Sequence, residues 1–280
     1  MKLFVTGGTG FIGTHFIRQA LAAGHEVIAL RRPGSKPRLP LIPDPRWLDG
    51  ALDADWREAF QGVEVLVHLA SHTPNPPYAP LEECLYWNVF AAMKLARAAS
   101  EAGVSDFLVA GSCFEYGQVP ADVAYIEPTH PLAPTLSYPT SKAAASIAFE
   151  GFARERLHRL KILRIFQVFG EGEQATRLWP SLRNAALNGS DFSMSAGEQV
   201  RDFVDVETVA SRFLAHLDFS AVVPGEPVVR HVASGKSQTL LEFARYWWQE
   251  FGAVGELKPG RLPYRNSELF RLVPHSSSLA

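Results

Sequence analysis

Short apolar runs alternate with longer stretches of helical spacing through the first 170 positions of the chain. Lys2 to Thr6 reads as a buried strand. Phe11 to Ala23 follows with helical spacing, and Gly24 closes it as a C-cap. The same alternation predicts strands over Glu26–Leu30, Val63–Leu69, Asp106–Ala110 and Lys161–Phe166. Between them, Asn88–Ala102 reads as an Ala-rich helix ended by Gly103, and Ser141–Leu157 as another helix. Strands alternating with helices predict an α/β fold with a doubly wound parallel sheet.

Two stretches interrupt the rhythm. Arg32 to Trp47, rich in Pro, Gly and Arg, reads as a surface excursion, and Gln118 to Thr135, with its prolines, as a loop. Beyond Gly170 the pattern turns irregular, with a helix expected over Leu240–Phe251 and one more strand over Pro224–Val232. This divides the chain into a larger unit over residues 1–170, to which 203–232 returns, and a smaller lobe from 171–202 and 233–280.

With 280 residues, 47% of them hydrophobic, the chain can build a large core, which excludes disorder. Lys and Arg total 27 against 29 Asp and Glu, so no basic field supports nucleic-acid binding. Cys84 and Cys113 are too few for a disulfide framework or a Cys-rich zinc site, and no metal is expected. Gly7 interrupts any secretory apolar run, and stretches such as Val63–Ala70 fall far short of the roughly 20 residues of a membrane span. A soluble, cytoplasmic protein without membrane partners is expected.

Candidate chemistry begins at the first strand-to-helix junction. Gly7-Gly8-Thr9-Gly10-Phe11-Ile12-Gly13 permits a tight turn and close backbone approach to a pyrophosphate, with the helix N-terminus facing the phosphates. The spacing Gly7-x-x-Gly10-x-x-Gly13 resembles the extended branch of the short-chain dehydrogenase/reductase superfamily, the NAD(P)-dependent nucleotide-sugar epimerases, dehydratases and reductases. The resemblance makes 1–170 a dinucleotide-binding Rossmann domain and the smaller lobe substrate-binding. In NAD-specific members an acid ends the second strand; here Arg31 stands there, followed by Arg32, and a guanidinium would pair with a 2′-phosphate. NADP(H) is therefore the expected cofactor, with NAD(H) possible. By the same resemblance Asp49-Gly50 contacts adenine, Leu69 and Ala70 run beneath the cofactor, and Asn88 opens a helix and links neighbouring strands. His68, ending a buried strand, reads as a packing residue.

Tyr138-x-x-x-Lys142 places a phenol and an ammonium on one helical face. A Tyr acid/base working near neutrality needs its phenol depressed from about 10, and an adjacent ammonium favours the phenolate. Gly111-Ser112-Cys113-Phe114-Glu115-Tyr116-Gly117 resembles the family element whose catalytic hydroxyl lies four before its Tyr, here Ser112. The resemblance implies a triad of Ser112, Tyr138 and Lys142, the last also reaching the nicotinamide ribose. Dehydratases carry Asp-Glu directly after that hydroxyl; Cys113-Phe114 offers none, and Glu115 reads as a loop or packing carboxylate.

Leu163-Arg164-Ile165-Phe166-Gln167-Val168-Phe169-Gly170 and Gln199-Val200-Arg201-Asp202-Phe203 resemble two further family segments. They imply Phe166 at the cofactor and Phe114, Gln167, Arg201 and Arg265 at a substrate diphosphate or sugar. The resemblance runs from Lys2 to about Val273, and family members continue further, so a trimmed, more open lobe is expected. The reading is a nucleotide-4-keto-sugar reductase. Alternatives are a redox-neutral 4-epimerase holding NAD, a reductase of non-sugar ketones, and a non-catalytic NAD(P)-sensing module. A homodimer is expected through Leu85–Ala102 and Ser141–Arg156, with Ala91, Ala92, Ala143, Ala144 and Ala145 allowing close approach.

Overall fold

The computed structural model describes residues 1–120, 122–265 and 268–280. Its main sheet is seven-stranded, in the order β10-β6-β5-β4-β1-β2-β3. These strands are β1 (Lys2–Thr6), β2 (Glu26–Arg31), β3 (Arg46–Asp49), β4 (Val65–His68), β5 (Asp106–Ser112), β6 (Arg159–Ile165) and β10 (Val228–Val232). Every pairing is parallel. The chain moves out to one edge, then returns through β4 to the other, so the order reverses between β1 and β4, where α/β sheets bind ligands beyond their carboxyl ends. The third strand begins at Arg46, within the last two residues of the stretch that reads as an excursion, and runs past it to Asp49. An edge strand as polar as Arg46-Trp47-Leu48-Asp49 lacks the apolar run that marks its neighbours.

Helices cover both faces. On one, α1 (Phe11–Ala22) and α6 (Val206–Ala215) bury Phe16, Ile17 and Phe213 against Leu3, Val5 and Leu163. On the other, α3 (Ala92–Glu101) and α4 (Ser137–Arg156) bury Leu95, Ala96 and Phe149 against Phe4, Leu66 and Ile162. A short α2 (Leu81–Leu85) runs through a π-helical turn, Tyr86–Ala91, into α3, so this helix starts ahead of Asn88. Likewise α4 starts at Ser137, ahead of Ser141, because Pro139 in a first turn needs no N–H partner. The alanines expected at a dimer interface need correction: Ala91, Ala92, Ala143 and Ala145 are buried within the subunit. Small side chains there let the helices approach the sheet, and the apolar groups left outside are Tyr86, Phe90 and Ile147.

The lobe is built from β7 (Gln167–Phe169), α5 (Leu178–Leu187), β8 (Phe192–Ser193), β9 (Val200–Asp205), β11 (Ser237–Thr239), α7 (Leu240–Glu250), β12 (Leu257–Lys258) and β13 (Arg271–Leu272). Around β9 pair β11, β13 and β7, while Leu182, Met194 and Ala244 form a separate small core. None of the described helices is long and apolar enough to cross a membrane.

Candidate active site

Between β1 and α1 the backbone leaves no room for side chains. A Cβ on Gly7, at φ +73°, would lie 2.6 Å from Ala70 N, and one on Gly13 would lie 2.1 Å from Gly7 O. No side chain caps α1 and its first turn holds no acid, so the N–H groups of Phe11, Ile12 and Gly13 leave the helix end without intrahelical partners. That uncapped, positively polarised end beside Leu69 and Ala70 fits a dinucleotide pyrophosphate. Thr6 braces it: its hydroxyl accepts the Ala70 N–H at 3.2 Å and bonds His68 Nδ1 at 2.8 Å. Burial pushes the His68 imidazole down to about 3, so it packs there uncharged.

At the adenosine end, Arg31 and Asp49 stand opposite each other on β2 and β3, and Arg31 Nε donates to Asp49 Oδ1 at 2.9 Å. The guanidinium also lies 5.0 Å from the Trp47 ring centroid. The acid missing from the end of β2 is thus supplied across the strand pair. Both partners are substantially exposed, at 27% and 48%, so water screens the pair and a stronger anion can displace the carboxylate.

Ser112 ends β5, Tyr138 lies in the first turn of α4, and Lys142 follows one turn later. All three are buried. Burial pushes the Tyr138 phenol well above its ordinary value; the Ser71 and Ser112 hydroxyls oppose this, and Glu115 and Tyr78 add to it. Lys142 is lowered by burial, and its Nζ donates to Ala110 O at 2.7 Å. Desolvation sets the direction at the phenol, and the Lys142 ammonium is held one helical turn away by the Ala110 carbonyl. Asn88 links the loop after β4 to α4 rather than two strands, its Oδ1 accepting the His72 N–H at 2.7 Å and its Nδ2 donating to Ser141 Oγ at 2.8 Å.

Arg201, on β9, is buried and donates to the Val200 and Leu269 carbonyls, with Glu268 3.5 Å away. It does not pair with Asp202, whose carboxylate instead accepts the Ser234 and Gly235 N–H groups. Arg265 is exposed. Phe114 is half-buried against the cluster of Cys113, Tyr116 and Phe166. Phe166 is buried, with its ring 5.1 Å from that of His231. Gln167 lies on β7, paired in register with Phe203.

Several neighbours carry no sequence signal. Tyr78 stacks obliquely on Tyr138 at 5.4 Å and feels the charges of Arg177 and Arg265. Glu173 accepts from Arg177 at 3.3 Å, and burial pushes its carboxyl up to about 7. Asn75 donates to Gln174 at 2.7 Å, joining the loop after β4 to the one after β7. Arg164 could have been found, because a charged residue in a strand of the sheet interior needs a buried partner.

The model of the NAD dependent epimerase/dehydratase family matches residues 3–229. The chain is similar to a CDP-abequose synthase of Salmonella muenchen, at 25% identity over 99% of this chain and 90% of that protein. It is also similar to a dTDP-4-dehydro-6-deoxy-D-allose reductase of Streptomyces bikiniensis, at 27% identity over 96% and 89%. Among solved structures, the UDP-glucose 4-epimerase of Thermotoga maritima with UDP-glucose superposes with a TM-score of 0.87 at 20% identity, covering 99% of this chain and 91% of that one.

Proposed function

The chain belongs to the NAD dependent epimerase/dehydratase family, and on that premise we propose that it reduces the keto group of a nucleotide-linked 4-keto-sugar. The observation that carries this reading is the Tyr138 phenol, which burial keeps protonated and therefore ready to act as an acid. A 4-epimerase uses the same three residues on a tightly held NAD, whereas Arg31 at the end of β2 suits the 2′-phosphate of a reducing cofactor. Dehydration wants a carboxylate just after Ser112, where Cys113 and Phe114 stand.

Ser112 Oγ and the Tyr138 phenol grip the keto oxygen. As charge builds on that oxygen, Tyr138 donates its proton, and the Lys142 ammonium steadies the resulting phenolate. When bound, a reduced nicotinamide cofactor would supply the hydride, two electrons with one proton, that the ketone carbon accepts. The backbone of Gly7, Gly10, Phe11, Ile12 and Gly13 would hold its pyrophosphate, Asp49 and Gly50 its adenosine, and Leu69, Ala70, Tyr138, Lys142 and Phe166 its nicotinamide half. Arg31 would exchange its screened pair with Asp49 for a 2′-phosphate, which favours NADP(H). Arg201 and Arg265 would take the substrate diphosphate, with Phe114 and Gln167 beside the sugar. The exposed Tyr86, Phe90 and Ile147 would be covered in a homodimer, which light scattering at micromolar concentration reads directly.

The test is a panel of nucleotide-linked 4-keto-sugars with NADPH, read by loss of NADPH absorbance. Consumption with at least one of them is expected. Failure with all, together with interconversion of UDP-glucose and UDP-galactose under added NAD, would assign the epimerase instead.

A further inference from the structure

Directly beneath Ser112 the structure holds a fully buried carboxylate, Glu115. Its Oε1 accepts the Ser112 backbone N–H at 2.7 Å, and its Oε2 accepts from Ser146 Oγ on α4 and from Arg164 Nε on β6, each at 2.8 Å. The Ser112 hydroxyl accepts the Phe114 N–H at 3.2 Å, so serine and glutamate close a reciprocal capping box around one turn. Arg164 is held in turn by Tyr116 Oη and Pro128 O. A carboxylate with both oxygens engaged by three different elements is a rigid anchor, costly to bury unless its geometry has a use.

We propose that Glu115 is the positioning residue of this site: it fixes Ser112 through the backbone N–H and sets a buried negative charge against the Tyr138–Lys142 pair. This rests on Ser112, Tyr138 and Lys142 being the reacting groups. Two separable effects follow. The bond to the Ser112 N–H keeps the serine hydroxyl facing the phenol, which eases ionisation. The charge itself opposes ionisation of Tyr138 and supports the ammonium of Lys142. Among the described residues, Glu115 after β5 and Tyr78 in the loop after β4 act on the phenol; Lys142 lies one turn on along its helix, His68 on β4 faces Lys142, and Cys113, Arg177 and Arg265 face Tyr78. Of these only Glu115 brings a permanent negative charge, and His68 is neutral.

The test is the near-ultraviolet tyrosinate titration of NAD-saturated protein by stopped-flow pH jumps, taking the step that Tyr138→Phe removes. Glu115→Gln keeps an acceptor for Ser112 but loses the charge, so the step moves down by about one pH unit. Glu115→Asp keeps the charge but withdraws it by one methylene from Ser112, so the step moves up by about half a unit. Opposite shifts, with unchanged NAD affinity, support the proposal. Titrations that superimpose on wild type, or no Tyr138-dependent step in any protein, overturn it. If Glu115→Gln leaves Arg164 unpaired and does not fold, Glu115→Asp decides alone. Activity retained in Tyr138→Phe would instead sink the catalytic reading itself, whatever the titrations give.

Discussion

Glu115 meets Arg164 at 2.8 Å with both side chains buried, whereas Glu173 meets Arg177 at 3.3 Å with the arginine 27% exposed. In the first pair both carboxylate oxygens are engaged. In the second, Glu173 Oε2 is buried with no partner among the described residues, and the carboxyl is pushed up to about 7. The two pairs use the same residue types, and they do different work. The satisfied pair frames the catalytic turn. The half-satisfied pair stays responsive to pH. Burial alone does not mark a functional charge; what distinguishes the pairs is how completely each oxygen is matched.

The contrast can be broken hardest at Arg164. Arg164→Met strands a buried carboxylate and should cost about 3–5 kcal/mol, lowering Tm by roughly 10 °C, with Glu115→Gln added in the same chain recovering most of it. Thermal unfolding of the single and double variants reads this, and a single variant as stable as wild type would contradict the framing role.

The second pair should show in pH. The folded pKa of Glu173 is raised from 4.5 to about 7, so its contribution is complete below the unfolded value and is lost as pH rises through the folded one. Wild type should lose about 2–3 kcal/mol from this group between pH near 4.5 and pH above 7. Urea unfolding across that window should flatten in Glu173→Gln; an unchanged slope would show that the carboxyl is solvated.

Arg201 sharpens the comparison, being buried against carbonyls with Glu268 only at 3.5 Å. Arg201→Met should weaken UDP or CDP binding roughly 10- to 100-fold by calorimetry, with a smaller loss of Tm than Arg164→Met because Glu268 is partly exposed. A fall in Tm without a fall in affinity would move Arg201 to the structural side. The smallest effect belongs to the exposed pair at β2 and β3. The NADPH-to-NADH preference should fall roughly tenfold in Arg31→Ala, measured as a ratio of dissociation constants. An unchanged ratio would mean that Arg31 serves only Asp49 and Trp47.

What could be read before folding follows from where information sits along the chain. The glycine turn and the strands around it were legible because backbone geometry there depends on local residues: no Cβ fits at Gly7 or Gly13. The parallel sheet was legible because most of its strands are rich in apolar residues. β3 was not, since Arg46 and Asp49 give an edge strand the composition of a loop. Tyr138 and Lys142 were visible as a helical pair, but the state of the phenol was not, because desolvation comes from residues distant in sequence. Arg31 pointed to a phosphate, yet its partner Asp49 arrives only when β3 pairs with β2. Glu115 looked like a packing carboxylate because Arg164, 49 residues on, becomes its partner only through sheet pairing.

The most direct test is turnover of a nucleotide-linked 4-keto-sugar with NADPH by wild type and Tyr138→Phe, with cofactor affinity measured in both. Turnover lowered roughly 10²- to 10⁴-fold with nearly unchanged NADPH binding is the predicted result. A variant that keeps more than about a tenth of wild-type turnover would show that Tyr138 is not the proton donor.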